Sequence, residues 1–136
     1  MKKKEVLLVE DNQQQGSVYA DMLATANYEV YWESYADKAR EVLSQKVAGI
    51  VILVVDLHIP KNEDTPADTA HGYDLVSDAK KILGKDFPIV IISEVKSRSK
   101  IMTEGKLSEF SQFEIVEKPV GSLLVEKVDE FTRGGM

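Results

Sequence analysis

The sequence predicts an α/β protein in which a doubly wound, five-stranded parallel sheet carries helices on both faces. Apolar runs of a few residues suit strands that are buried on both faces of a parallel sheet. Segments with helical spacing of apolar residues separate these runs, as crossovers between parallel strands require. A chain of 136 residues can bury one core, so we expect a single domain over residues 1–136 with its core at about residues 4–132.

Strands and helices alternate in the first half of the chain. Glu5–Val9 is the first apolar run, and the amphipathic stretch near Gln13–Ala26 follows it as a helix. Glu29–Trp32 has β-branched and aromatic residues and is predicted as the second strand. A helix near Asp37–Gln45 then leads to Ile50–Val55, the most apolar strand.

The second half repeats the alternation. A helix near Tyr73–Leu83 precedes the strand Ile89–Ile92, and a weakly patterned helix near Lys96–Thr103 precedes the strand Glu114–Val116. The last helix is predicted near Ser122–Phe131. Val18, Ile82 and Leu123 belong to the apolar residues that recur at helical spacing in the first, third and last predicted helices.

Composition excludes several classes of function. A net charge of −6 argues against direct nucleic-acid binding, and the absence of cysteine excludes disulfide and thiol chemistry. No apolar stretch approaches the roughly 18 to 20 residues that a membrane span needs, and no signal-peptide core follows the N-terminus. We therefore expect a cytoplasmic protein that does not insert into a membrane.

Reactive polar side chains follow four of the predicted strands. Glu10 and Asp11 come after the first strand, Asp56 ends the third, Ser93 ends the fourth and Lys118 follows the fifth. The carboxyl ends of parallel strands meet at one edge of a sheet, where open α/β proteins build their sites. Three carboxylates, a hydroxyl and an amine at that edge could form a cation site, a nucleophile and phosphate ligands.

Each of these residues has a plainer alternative when it is taken alone. Glu10 and Asp11 could hold Mg²⁺, but Asp11 or Asn12 could instead cap the following helix. Asp56 could be an oxygen nucleophile that takes up a phosphoryl group, or an ordinary loop carboxylate. The hydroxyl and the ammonium could donate to phosphoryl oxygens or simply lie on the surface. Their joint placement at strand ends favours the functional interpretation.

Four motifs carry a resemblance to a known family. Val6–Asn12, Val54–Pro60, Ile91–Ser93 and Glu117–Pro119 resemble the conserved segments of response-regulator receiver domains from two-component signalling. The resemblance covers essentially the whole chain and implies the flavodoxin-like strand order 2-1-3-4-5. It also implies that Asp56 accepts phosphate from a histidine kinase or phosphotransfer protein.

The resemblance implies a role for each site residue. Mg²⁺ is expected on Glu10, Asp11, Asp56 and the backbone carbonyl of His58. The Ser93 hydroxyl and the Lys118 ammonium are expected to contact the phosphoryl group. Such a domain is a signalling phosphoacceptor rather than an enzyme, and it catalyses only its own phosphorylation and dephosphorylation.

The resemblance also implies an output surface. Phosphorylation is expected to switch a face made of the helix near Lys96–Thr103, the fifth strand and the last helix. That face could bind a downstream protein or a fused effector, or form a homodimer.

The chain departs from the family pattern at three places. Glu94 stands where receivers usually carry a small residue, and it could crowd the phosphoryl pocket, point to solvent or pair with a nearby lysine. Ile115 stands at the usual aromatic switch position, and Phe113, two residues before it, could substitute for the aromatic residue. An insertion at about residues 61–70 follows Asp56, and it could gate access, select a partner or be a tolerated surface loop. These departures keep an alternative open, a receiver-like interaction module that is rarely or never phosphorylated. If Glu94 crowds the site, Glu94→Ala should accelerate phosphorylation by small donors.

Overall fold

Within the described residues, the strands and helices follow one another in the predicted order. The computed structural model describes residues 3–46, 49–64, 72–84, 86–93, 113–117 and 121–134. Its strands are β1 (Lys4–Val9), β2 (Tyr28–Glu33), β3 (Ile50–Asp56), β4 (Ile89–Ser93) and β5 (Phe113–Glu117). Its helices are α1 (Gln13–Thr25), α2 (Ala36–Lys46), α3 (Gly72–Leu83) and α4 (Leu123–Gly134). The helix predicted near Lys96–Thr103 lies outside the described residues.

The five strands form one parallel sheet in the order β2-β1-β3-β4-β5. This confirms the predicted fold class and strand order. The register pairs Val9 of β1 with Val55 of β3, so the residues that follow them, Glu10 and Asp56, are neighbours across the sheet. Asp56 in turn pairs with Ile92 of β4. The strand ends that carry the predicted site residues therefore meet at one edge.

Side chains of the central strands alternate between two apolar clusters, one on each face of the sheet. Leu7 and Leu53 pack with residues of α2 and α3 on one face. Leu8 and Val54 pack with residues of α1 and α4 on the other. All four side chains are fully buried, which explains why β1 and β3 are almost uninterrupted apolar runs.

Three apolar residues that recur at helical spacing are exposed. Val18, Ile82 and Leu123 are exposed by 54%, 48% and 40% of their surface. In α1 the buried residues are Gly16, Tyr19 and Leu23, a seam narrower than the apolar face of the helix. Val18 lies beside this seam and is left exposed.

Two helix ends use a left-handed backbone conformation. Asn27 follows α1 with φ of 76°, and its N–H donates to the carbonyl of Ala24 at 3.0 Å. Gly84 follows α3 with φ of 102°, and its N–H donates to the carbonyl of Lys80 at 2.9 Å. Asparagine and glycine are the residues that tolerate this conformation best at a helix C-terminus.

Candidate functional site

Three carboxylates meet at the carboxyl edge of the sheet. One oxygen from each of Glu10, Asp11 and Asp56 lies within 4.8 Å of the other two. Glu10 is fully buried, Asp56 is 5% exposed and Asp11 is half-buried. Carboxylates that are this close together and largely shielded from solvent repel one another, so a cation would stabilise the arrangement. We call these three residues the acidic cluster.

The oxygen donors of the acidic cluster fit a hard divalent cation. Mg²⁺ prefers carboxylate, carbonyl and water oxygens, and proteins commonly bind it through one or two carboxylates. The cluster offers only carboxylate oxygens, and no histidine or cysteine side chain belongs to it. Its chemistry therefore suits Mg²⁺ better than a softer metal such as zinc.

The carboxylate of Asp56 is oriented by the backbone that follows it. The N–H of His58 donates a hydrogen bond to Oδ1 of Asp56 at 2.8 Å. Leu57 and Ile59 on either side are fully buried, so this short segment is anchored while the side chain of His58 is exposed. The anchored segment holds the Asp56 carboxylate in one orientation at the end of β3.

Glu10 is held by the edge strand β2. The indole Nε1–H of Trp32 donates to the carbonyl oxygen of Glu10 at 2.9 Å, and the N–H of Glu10 donates to the carbonyl of Glu33 at 3.0 Å. The N–H of Asn12 also donates to Oε2 of Glu10, at 3.3 Å. Sequence reasoning missed Trp32 as a residue of the site. The sequence feature that could have indicated this role is the position of the single tryptophan at the end of a predicted strand.

The structure separates the two roles that Asp11 and Asn12 could have taken. Asn12 is the N-cap of α1, and its Oδ1 accepts a hydrogen bond from the N–H of Gln15 at 2.9 Å. Asp11 belongs instead to the acidic cluster. The capping function that competed for Asp11 in the sequence is thus supplied by its neighbour.

The remaining predicted site residues are described only in part. Ser93 is the last residue of β4 and pairs with Glu117 of β5, one position beyond the pair of Asp56 and Ile92. Lys118 follows Glu117 and lies outside the described residues. Glu94 and most of the predicted insertion, residues 65–70, lie outside them as well.

Two backbone contacts lock the loop after β3 to α2. The N–H groups of Ala36 and Asp37 donate to the carbonyls of Pro60 and Lys61 at 3.0 and 2.9 Å. Both donors lie in the first turn of α2, where no partner exists within the helix. The segment that orients Asp56 is therefore hydrogen-bonded to the first turn of α2.

Gly72, the first residue of α3, contacts the segment that follows β3. Its N–H donates to the carbonyl of Leu57 at 3.0 Å. A Cβ atom on Gly72 would lie 2.5 Å from Cα of Leu57 and 2.6 Å from the carbonyl oxygen of Asp56. Only glycine allows α3 to begin this close to the end of β3.

Ile115, at the position where receivers usually have an aromatic switch residue, is partly buried. It packs against the apolar cluster on the α2 and α3 face of the sheet. An aliphatic side chain held in this way cannot reproduce the rotation of an aromatic ring. Ile115, one of the three predicted departures from the receiver pattern, therefore contributes to the packing of this face of the sheet.

Comparison with known proteins supports the fold. No protein-family model matches the sequence, and no curated protein matches it. The chemotaxis protein CheY4 of Vibrio cholerae is 20% identical, with a TM-score of 0.76 over 96% of this chain and 99% of CheY4. A response-regulator receiver domain protein from Clostridium thermocellum is 17% identical, with a TM-score of 0.74 over 96% of each chain.

A third structure has been solved in an activated form. The N-terminal receiver domain of RstA from Klebsiella pneumoniae, in its BeF3-activated form, is 18% identical, with a TM-score of 0.72 over 95% of this chain and 98% of that domain. The chain thus has the fold of response-regulator receiver domains, and the resemblance predicted from its motifs is confirmed at the level of the fold. None of the described helices is long and apolar enough to cross a membrane.

Proposed function

We propose that the protein is a phosphoacceptor receiver domain of a two-component system or phosphorelay. A histidine kinase or a phosphotransfer protein would phosphorylate it on Asp56 in the presence of Mg²⁺. The acidic cluster carries this proposal, because it stands at the carboxyl edge of a sheet with the receiver fold. Glu10 and Asp56 are buried and Asp11 is half-buried, and removing such charges from water without a compensating partner is costly.

Four groups would hold the metal ion. They are the carboxylates of Glu10, Asp11 and Asp56 and the backbone carbonyl of His58. When bound, Mg²⁺ would neutralise the cluster and the incoming phosphoryl oxygens. Without such a cation, three carboxylates whose oxygens lie within 4.8 Å of one another would repel an anionic donor.

The chemical step uses Asp56 as the nucleophile. A carboxylate oxygen attacks phosphorus in line and the P–N bond of the donor's phosphohistidine breaks. The bonding electron pair goes to the ring nitrogen that carried the phosphoryl group, and the ring is already protonated at its other nitrogen. An acyl phosphate forms on Asp56 and the donor recovers a neutral imidazole. The N–H of His58, 2.8 Å from Oδ1, keeps the carboxylate oriented before attack.

Ser93 and Lys118 would complete the site. Their hydroxyl and ammonium groups would donate to the phosphoryl oxygens, on which charge accumulates during transfer. Hydrolysis would end the signal. Water attacks phosphorus, the P–O bond to Asp56 breaks, and phosphate leaves while the carboxylate is restored. The domain would therefore set the lifetime of its own signal.

The phosphorylated state would be read by a partner. A phosphoryl group adds about −1.5 to −2 charges, which would draw the Ser93 hydroxyl toward it. This movement at the end of β4 would alter the face that the helix near residues 96–103, β5 and α4 present to a downstream protein, a fused effector or a second copy. Because Ile115 replaces the usual aromatic residue, Ser93 would carry most of this coupling.

Phosphorylation with a small donor tests the proposal. We expect acetyl phosphate and Mg²⁺ to add one phosphoryl group to the wild-type protein, detected by intact-protein mass spectrometry. Asp56→Asn should abolish the modification, and Asp21→Asn, which changes an exposed carboxylate on α1, should not. Adding EDTA should prevent it in every variant.

The opposite result would favour the alternative function. No Asp56-dependent modification and no binding of beryllofluoride would indicate an interaction module that is not phosphorylated. Glu94→Ala, tested in the same assay, decides whether that carboxylate slows small donors. A faster reaction in the variant is the result expected if Glu94 crowds the phosphoryl site, and an unchanged rate would remove that idea.

A further inference from the structure

Trp32 contacts the peptide unit that joins two members of the acidic cluster. Its indole N–H donates at 2.9 Å to the carbonyl oxygen of Glu10, and this carbonyl is bonded to the nitrogen of Asp11. A peptide unit is planar, so fixing the direction of its C=O also fixes the positions of the flanking Cα atoms. One hydrogen bond therefore constrains the backbone from which both carboxylates project.

A second hydrogen bond from the same strand restrains the backbone of Glu10. Its own N–H donates to the carbonyl of Glu33 at 3.0 Å. The last Cα pair between β1 and β2 joins Val9 and Glu33, so this bond extends the strand contact to the first acidic residue. The backbone of Glu10 is thus held on both sides by β2, the edge strand of the sheet.

Gly16 on α1 makes room for the indole. A Cβ atom at Gly16 would lie 2.2 Å from Cζ2, 2.5 Å from Cε2 and 2.8 Å from Nε1 of Trp32. Glycine inside a helix costs about 0.5 to 1 kcal/mol relative to alanine, so its presence at this buried helical position needs a reason. The close approach of the ring that donates to Glu10 supplies that reason.

We propose that Trp32 is a positioning residue for the metal site, acting through the carbonyl of Glu10 on the geometry of Glu10 and Asp11. This inference rests on the proposed function, because it assumes that the acidic cluster binds Mg²⁺. Without the indole N–H, the peptide between Glu10 and Asp11 can rotate and the two carboxylates no longer converge. In other metal sites, groups that hydrogen-bond to the metal ligands without touching the metal contribute strongly to metal affinity.

Calorimetric titration with Mg²⁺ tests the inference on the purified protein. Trp32→Phe keeps an aromatic ring beside Gly16 but removes the N–H donor. We expect it to raise the Mg²⁺ Kd about fivefold, the ratio that follows from losing one net hydrogen bond. In the acetyl phosphate assay, the Mg²⁺ concentration for half-maximal rate should rise by the same factor, and the rate at saturating Mg²⁺ should stay within about twofold of wild type.

Tyr31→Phe is the matched control on the same strand. The hydroxyl of Tyr31 donates to Oε1 of Glu5 at 2.6 Å, at the opposite end of β1 from Glu10. This hydrogen bond raises the pKa of Tyr31 to about 12, so the hydroxyl remains a donor throughout the assay range. Tyr31→Phe removes one hydrogen bond from β2 without touching the acidic cluster, and its Mg²⁺ Kd should match that of wild type.

A second variant guards against a folding defect in Trp32→Phe. Gly16→Ala leaves the indole N–H in place but displaces the ring, so it too should weaken Mg²⁺ binding. Unchanged Mg²⁺ affinity in the folded Trp32 and Gly16 variants, beside a wild-type protein that binds Mg²⁺ and is phosphorylated on Asp56, would overturn the inference and leave the proposed function standing. A wild-type protein that neither binds Mg²⁺ nor is modified on Asp56 would overturn both.

Discussion

The hydroxyl of Tyr28 donates a hydrogen bond to Oδ1 of Asp129 at 2.5 Å. The same hydroxyl lies 2.9 Å from Oγ1 of Thr132, and Nζ of Lys4 donates to the carbonyl of Thr132, also at 2.9 Å. Residues at the starts of β1 and β2 are thus joined to the last turns of α4. These contacts fasten the C-terminal helix to the sheet far from the acidic cluster.

Tyr28→Phe should destabilise the protein without affecting metal binding. Tyr28 is only 6% exposed, and its partner Asp129 is a carboxylate, so the lost hydrogen bond belongs to the stronger class. We expect the free energy of unfolding in urea to fall by about 1.5 kcal/mol. Tyr35→Phe is the control, because the hydroxyl of Tyr35 has no hydrogen bond to any residue described in the structure. A Mg²⁺ Kd that changed with Tyr28 would contradict the separation of the two regions.

Mg²⁺ should stabilise the wild-type protein through the acidic cluster. At a free Mg²⁺ concentration one hundred times the Kd, the expected gain is about 2.7 kcal/mol. Asp11→Asn should lose most of this gain, yet in EDTA it should be more stable than wild type, because it removes one of three mutually repelling carboxylates. Thermal unfolding with and without Mg²⁺ measures both effects. An equal response of Asp11→Asn and wild type would place the Mg²⁺ site elsewhere, and Asp21→Asn serves as the surface control.

Lys80 should make stability depend on pH in the alkaline range. Its side chain is 3% exposed, Nζ donates to the carbonyl of Phe87 at 2.6 Å, and burial lowers the pKa of Lys80 to about 8, opposed by the charge of Asp86. The usual lysine pKa of 10.5 applies in the unfolded chain. Between about pH 8 and about pH 10.5 the unfolded state therefore binds more protons, and this group makes the free energy of unfolding rise with pH.

Urea denaturation at several pH values isolates the contribution of Lys80. The free energy of unfolding of wild type, measured relative to Lys80→Met, should increase as the pH rises from about 8 to about 10. Lys81→Met changes the neighbouring exposed lysine of α3 and should retain the wild-type profile. Parallel profiles for wild type and Lys80→Met would show that Lys80 titrates alike in the folded and unfolded chains.

Asn27 should be replaceable by glycine but not by alanine. Its φ of 76° lies in the left-handed region, where a β-carbon crowds the following carbonyl oxygen. We expect Asn27→Ala to lower the free energy of unfolding by about 1 kcal/mol, and Asn27→Gly to change it by only a few tenths. Equilibrium unfolding of the two variants side by side checks this. Equal stabilities would mean that α1 can end in another conformation without cost.

Much of the fold could be predicted because the central strands are buried on both faces. The runs Val6–Val9 and Ile50–Val55 consist of apolar residues, and this pattern distinguishes a doubly covered parallel sheet from a half-exposed one. The same runs also predict which polar residues gather at the carboxyl edge. The acidic cluster was predicted in this way, and the structure brings its three carboxylates together.

Contacts between separate elements could not be predicted from local pattern. Asp11 and Asn12 are both good helix caps, and only the conformation of the chain after β1 decides that Asn12 is the cap of α1. The hydrogen bond from Trp32 to Glu10 depends on the pairing of β2 with β1 and on the space beside Gly16. The exposure of Val18 likewise depends on the rotation of α1 about its axis where it packs on the sheet. The spacing of apolar residues within the helix does not define that rotation.

The contact between Leu57 and Gly72 has a consequence for protein engineering. The N–H of Gly72 donates to the carbonyl of Leu57 at 3.0 Å, and the predicted insertion at about residues 61–70 falls between these two residues. Pro60 and Lys61 are fixed separately, to the first turn of α2. The stretch from residue 62 to residue 71 is thus bounded on both sides by anchored backbone, and the entropy of closing a loop grows only slowly with its length. We therefore expect that a foreign peptide exchanged between Lys61 and Gly72 would leave the backbone that follows Asp56 in place.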